Sequence, residues 1–379
     1  MPNNEQHKHL SVYIHFPWCK EKCPYCDFNS HALKHDLPES DYVDRIVEEM
    51  SQQHTLLSTR RIHTVFMGGG TPSLFSGQSI ARLLTTLRDQ YNLTTDAEIT
   101  LEANPGTTDS ARFRDFVAAG VNRLSIGCQS FDNNQLQILG RIHDQTQAIA
   151  AFTEARQAGF NNINIDLMFG LPGQRPEQAL NDLEQAIALQ PEHISWYQLT
   201  IEPHTHFYQF PPSLPNDDNI HAMHQAGIAL LQQHGYQQYE ISAFSQNNRH
   251  CQHNLNYWRF GDYLGLGAGA HSKLTQQNRI QRHWNLKHPK AYLSATTDAT
   301  AGSKTVHDDE RVFEFFMNRL RLQQPITESE LIKATSKNIA SLQPQLAQLQ
   351  QQGLLNYEPT ISLTQHGRLF LNDVLTAWL

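Results

Sequence analysis

Residues 13–30 read YIHFPWCKEKCPYCDFNS, and this stretch governs the reading of the whole chain. The largely apolar run SVYIHF ending at Phe16 reads as a strand, and it runs directly into a loop that places Cys19, Cys23 and Cys26 within eight residues. Only Cys128 and Cys251 occur elsewhere. Buried structural thiols fit poorly beside Lys20, Glu21 and Lys22. CPYC alone is a thiol redox pattern, and the nearby lysines would lower a thiol pKa, but Cys19 is surplus to it. Zinc usually takes four closed ligands and would have to recruit His15 or His31. An iron–sulfur cluster takes thiolates, usually four. A loop that supplies three leaves one iron open to a ligand that is not protein.

Outward from this loop, β-like runs alternate with helical segments through the first two thirds of the chain. The runs are SVYIHF, IHTVFMG, AEITLEANP, VNRLSIGCQ, NNINIDLMFG and HISWYQLTIEP. Several are near-continuous in apolar residues, which predicts strands covered on both faces. Between them lie predicted helices over 39–53, 77–90, 108–119, 145–158 and 176–189. Asp109 and Glu177 stand near helix starts, where negative charge is favoured, and Gly120 and Gly159 end helices just before the next strand. Such alternation predicts an α/β fold with a parallel sheet and right-handed crossovers, as a doubly wound sheet or an incomplete barrel. Polar and Gly-rich groups follow each strand, on the face where parallel α/β folds place their chemistry. They include GGGTP (68–72), Glu102, Gln129, Arg141 and Asp166.

The pattern changes near residue 205, where Pro203, Pro211, Pro212 and Pro215 interrupt it, and a helix follows over 219–234. YLGLGAGAHS (263–272) reads as a Gly-rich turn. Residues 308–379 read as a winged-helix-like module with its wing at NYEPTISLTQHG. That module holds eight acidic residues against six Lys and Arg, which argues against a nucleic-acid partner. The expected domains are 1–245, a connecting region 246–305, and 306–379.

The 379 residues carry a net charge of −8, again unlike a polyanion binder. No apolar run is long enough for a membrane span, and MPNNEQHKHL has no apolar signal region. Few cysteines, odd in number, fit a reducing compartment, so the expected location is cytoplasmic.

C-x3-C-x2-C with an aromatic residue, Tyr25, before the last cysteine resembles the signature of the radical S-adenosylmethionine (SAM) superfamily. The resemblance implies a [4Fe–4S] cluster on Cys19, Cys23 and Cys26 whose open iron chelates SAM. YIHFPWC…CPYCDF, GGGTPS, LEANP, RLSIGCQSF, LGRIHD and DLMFGLPGQ are similar to oxygen-independent coproporphyrinogen III oxidase and its relatives over almost the whole chain. That implies an incomplete (β/α)6 barrel with a small C-terminal domain. It also implies SAM contacts from Tyr13, Gly69, Gly70, Thr71, Glu102, Gln129, Arg141 and Asp166, with Tyr25 beside the cofactor.

Two departures from the oxidases fall on the substrate side. Phe28 stands where they carry a further cysteine, and only 18 residues precede Cys19. Both departures, with HNLNYW (253–258), resemble the HemW-type haem chaperones. This resemblance implies haem binding, with His253 as iron ligand, Asn254 orienting it, and Tyr257 and Trp258 as flat surfaces for the macrocycle. Cys251 is the rival ligand. It further implies haem-accepting partner proteins, membrane-associated respiratory enzymes among them, and leaves a homodimer open. The alternative activity is radical oxidative decarboxylation of porphyrinogen propionates.

Overall fold

The computed structural model describes residues 9–107 and 110–378; Asp109 and the start of the predicted 108–119 helix lie outside them, as does most of the N-terminal segment. Six strands pair in parallel in chain order: β1 (His9–Phe16), β2 (Arg61–Gly69), β3 (Leu93–Ala103), β4 (Arg123–Gln129), β5 (Ile163–Phe169) and β6 (His193–Gln198). The five connections carry α1 (Glu39–Gln52), α2 (Gly77–Gln90), α3 (Ser110–Ala119), α4 (Gln145–Ala158) and α5 (Pro176–Ala188), and α6 (Asp217–Gln233) follows β6. Local signals set these helices. Ser76 and Asn216 cap α2 and α6 through their side chains, and Asp144 forms a capping box with Gln147 at the start of α4. Gly120 and Gly159 take φ of 100° and 109°, a left-handed conformation that releases the chain into the next strand.

Both faces of the strands are covered, as expected, but only the outer one is uniformly apolar. Val12, Ile14, Val65, Met67, Leu124, Ile126, Ile163 and Ile165 point outward and pack with Ile46, Leu83, Phe116, Phe152 and Leu183 of the helices in one core. The alternate residues line the inside of the curved sheet and, apart from aromatic groups such as Phe66, are mostly polar. They include Ser11, Thr64, Ser125, Asn164, Asp166 and His193, joined by hydrogen bonds. A closed barrel core would be filled with branched apolar side chains; this interior carries polar groups instead.

The sheet continues beyond the six units. The segment expected as a connector supplies β8 (Tyr263–Leu266), which pairs in parallel with the free side of β1, and then β9 (His271–Gln276), β10 (Arg279–Asn285) and β11 (Thr300–Val306), all antiparallel. On the far side β7 (Ala243–Ser245) pairs antiparallel with β6. The edges, Thr300–Val306 and Gln237–Gln238, stand at opposite ends of one twelve-stranded sheet, so the barrel is open. Of the predicted Gly-rich turn only residues 267–270 turn, with φ of 96° at Gly267 and 73° at Gly269.

Helix α7 (Gln252–Trp258) lies against the N-terminal ends of the strands. Glu98, midway along β3, accepts the backbone N–H groups of Gln252 and His253, both at 3.1 Å, and so places a carboxylate on the helix start. Helix α8 (Asp308–Arg319) opens a second core around Phe315, Phe316, Leu331, Leu346 and Val374, with a short hairpin between Leu355–Asn356 and Ser362–Leu363 where the wing was expected. No helix among the described residues is long and apolar enough to cross a membrane.

Candidate cofactor site at the barrel mouth

Cys19 ends a two-residue strand, Trp18–Cys19, that pairs with His31–Ala32 and so folds the intervening loop back on itself. The three thiols of the loop are free and half-buried. Among the described residues no three His, Cys, Asp or Glu side chains converge on a point that a single ion would fill. The loop is anchored from two sides. The N–H groups of Gly70 and Thr71 donate to Phe16 O and Trp18 O at 2.6 and 2.7 Å, which ties GGGTP to the base of the loop. A Cβ on Gly70 would stand 2.5 Å from Trp18 O, so only glycine allows this approach. From the other side Asn29 donates to Ala268 O and Lys287 O, fastening the loop to the β8–β10 extension. Burial raises the Cys19 thiol, with hydrogen bonds from Thr71 and Ser30 opposing.

The strand-end residues converge beside this loop. Arg141 donates to Gly127 O at 2.7 Å and reaches Cys23 Sγ at 3.5 Å; its Nε is buried without a partner. Glu102 accepts the Gly69 N–H at 3.1 Å, and burial together with the nearby Asp166 pushes its carboxyl up to about 8. Burial also raises Asp166, against hydrogen bonds from Ser125, Asn164 and Ser195 and the charge of Arg123. Gln129, at φ 70°, accepts from the Tyr197 hydroxyl at 2.7 Å. Tyr25 packs on Phe207, 6.4 Å between centroids.

Tyr13 and His15 follow each other on the inner face of β1. His15 Nε2 faces Asn29 O at 2.9 Å, and a carbonyl can only accept, so Nε2 carries the hydrogen. His15 Nδ1 therefore accepts from the Tyr13 hydroxyl at 3.0 Å. In the sequence His15 was weighed only as a zinc ligand, and Asn29 went unnoticed. The period-two spacing from Tyr13 pointed to His15, whereas the carbonyls Asn29 holds, Ala268 O and Lys287 O, lie 239 and 258 residues further along the chain.

Tyr13, Gly69, Glu102 and Tyr257 line one cavity of about 590 Å³, together with Phe28, Tyr263, His271 and Lys287. Thr71, Cys23 and Arg141 line a small neighbouring recess. Of HNLNYW, Tyr257 reaches the cavity while Trp258 lies beneath the Arg321 guanidinium, 4.3 Å away. His253 differs from expectation. It is 1% exposed, and both ring nitrogens are engaged, Nδ1 with Thr64 Oγ1 at 2.8 Å and Nε2 with the Tyr257 hydroxyl at 3.0 Å. Burial lowers its pKa to about 3. In this arrangement neither nitrogen faces a ligand. Asn254 does not orient the ring; Thr64 and Tyr257 do. Cys251 is fully buried and its thiol is raised to about 12 by burial.

The donor set fits a cluster with a cationic, zwitterionic ligand. Three free thiols share one loop, an arginine nitrogen waits unpartnered beside them, and two carboxyls are held at the cost of mutual repulsion. Fold and site define a radical SAM protein: residues 13–186 match the Radical SAM superfamily, and residues 306–370 match the HemN C-terminal domain. That superfamily implies a [4Fe–4S] cluster and SAM. The fold aligns with coproporphyrinogen III oxidase (HemN) from Escherichia coli at a TM-score of 0.85 and 25% identity, over 98% of this chain and 90% of that one. The heme chaperone HemW of Haemophilus influenzae is 47% identical over 376 residues, 98% of each chain, and the heme chaperone HemW of Escherichia coli is 47% identical over 372 residues, also 98% of each. The chain belongs to the HemW family.

Proposed function

We propose that this protein is a haem chaperone, which holds haem and passes it to acceptor proteins, respiratory enzymes at the membrane among them, from a cytoplasmic location. The observation that carries this reading is the near-full-length similarity to proteins named heme chaperone HemW. Phe28 supports it: the position lies at the cavity, is 61% exposed and carries no thiol.

Cys19, Cys23 and Cys26 would hold the cluster, and Arg141, Glu102, Asp166, Gln129 and the Gly69–Thr71 backbone would hold SAM. When bound, the cluster supplies the electron that cleaves SAM reductively. The residues around it have positioning and electrostatic tasks. The Arg141 guanidinium places positive charge beside Cys23 and offers Nε to a carboxylate. Glu102 and Asp166 offer negative charge to an ammonium and can accept hydrogen bonds from ribose hydroxyls. The Tyr13–His15–Asn29 relay fixes the loop relative to β1. Tyr257 supplies a flat face for a macrocycle.

The competing reading, porphyrinogen decarboxylation, has in its favour the alignment with coproporphyrinogen III oxidase. Anaerobically reconstituted protein separates the two: haem titration followed by the Soret band, in parallel with porphyrinogen turnover in the presence of reductant and SAM. Haem binding without decarboxylation is expected. Decarboxylation at an enzyme-like rate would reverse the conclusion.

A further inference from the structure

We propose that His271 is the axial ligand to the iron of the bound haem, with the macrocycle seated in the barrel-mouth cavity; this rests on the haem-chaperone reading. His271 opens β9 at the cavity wall and is exposed. Its ring is oriented by stacking on Trp284, 6.2 Å between centroids at 26°, and not by a hydrogen bond, so both nitrogens remain available. Trp284 in turn lies against Gly302 of the adjacent strand, where a Cβ would strike its ring.

The other ligand candidates at this cavity are already committed. His15 spends one nitrogen on Tyr13 and the other on Asn29. His253 spends both inside the barrel. The Tyr263 hydroxyl accepts from Arg282 at 3.1 Å. Cys251 lies fully buried behind α7.

The surroundings suit an iron macrocycle with carboxylate side chains. Tyr13, Phe28, Tyr257 and Tyr263 give the cavity aromatic walls, and Lys287 places an exposed ammonium at its rim, where a propionate would be met. Partial burial and the charges of Lys287 and Arg282 lower the pKa of His271, which keeps the ring neutral and able to donate a lone pair. The volume, about 590 Å³, is in the range of cofactor pockets. Sheet order puts the two sets of contacts on opposite flanks of the shared cavity. Glu102 and Gly69 lie on β3 and β2, on one flank of β1, and His271 follows β8 on the other.

The test is a titration of the reconstituted full-length protein with ferric haem, read by the Soret band and by electron paramagnetic resonance, in wild type, His271→Ala and His253→Gln. His271→Ala is expected to bind haem about tenfold more weakly or worse and to lose the imidazole-ligand signature, with added imidazole restoring the signature. His253→Gln is expected to keep the signature. Cluster iron content, unchanged in His271→Ala, confirms an intact fold. Wild-type affinity and spectrum in His271→Ala overturn the assignment while leaving the chaperone reading in place. Absence of haem binding by the wild type overturns both.

Discussion

Replacing Glu102 with glutamine tests the electrostatic design of the SAM site. Burial and Asp166 hold the Glu102 carboxyl up to about 8, against the Gly69 N–H, which pulls it down. Well below that value the ionised fraction rises about tenfold for each pH unit. A cationic ligand that grips only the ionised form gains affinity in the same proportion. The sulfonium of SAM carries its charge at any pH, so SAM affinity in wild type should rise by up to about tenfold between pH 6 and pH 7. Glu102→Gln cannot ionise and should show a flat profile. Equilibrium binding of SAM to the reconstituted protein, measured at both pH values, gives the comparison; parallel profiles for wild type and variant would refute the reasoning.

The same shift bears on stability. The unfolded chain releases this proton near its ordinary value of 4.5, whereas the folded chain keeps it to about 8. Below both values the group costs nothing; as pH rises between them the unfolded state is favoured, and above the higher value the penalty is complete. Ligand-free Glu102→Gln should therefore exceed wild type in stability at pH 8, by on the order of 1–3 kcal/mol, and match it near pH 4.5.

Cys23→Ser should lose most bound iron, because a hard alkoxide replaces a soft thiolate, while Cys128→Ser, altered on the apolar outer face of β4, should keep its cluster; iron analysis after anaerobic reconstitution decides. Gly70→Ala drives a Cβ to 2.9 Å from Phe16 O and should loosen the anchoring of the cysteine loop. It is expected to lower stability by about 1–3 kcal/mol, with reduced cluster retention, in thermal melts and iron analysis. Glu98→Gln removes the charge at the start of α7 and should cost about 1–2 kcal/mol in chemical denaturation.

The six parallel units were legible because each is local: an apolar period, a cap, a closing glycine. The cysteine loop was legible because its chemistry sits in eight consecutive residues. The pairing of β8 with β1 was not, since it joins Tyr263 to Ser11 across the whole barrel and no local pattern encodes that register. Its glycines deepened the error. Gly265 is a strand residue whose missing side chain admits the backbone of His271, and only Gly267 and Gly269 turn. Polar residues inside the strands were masked for a different reason. In SVYIHF the alternation separates a helix-packed face from a polar lumen, but Tyr and Ile are both large, and the run reads as uniformly apolar. HNLNYW drew attention to His253 by its composition, whereas burial and hydrogen bonding, which decide whether a ring nitrogen is free, belong to the tertiary structure. His271, a lone histidine after a glycine run, carried no pattern at all.

The placement of α7 against the strand starts, held there by Glu98, makes the barrel a vessel with a closed base. Such a vessel fills from the bottom and empties from the rim. Whatever rests low, against Asp166 and Glu102, has to be seated before anything lies across the exposed Phe28 and His271. The last occupant to arrive is then the first able to leave, so cargo at the rim can be handed on while the layer beneath it stays in place.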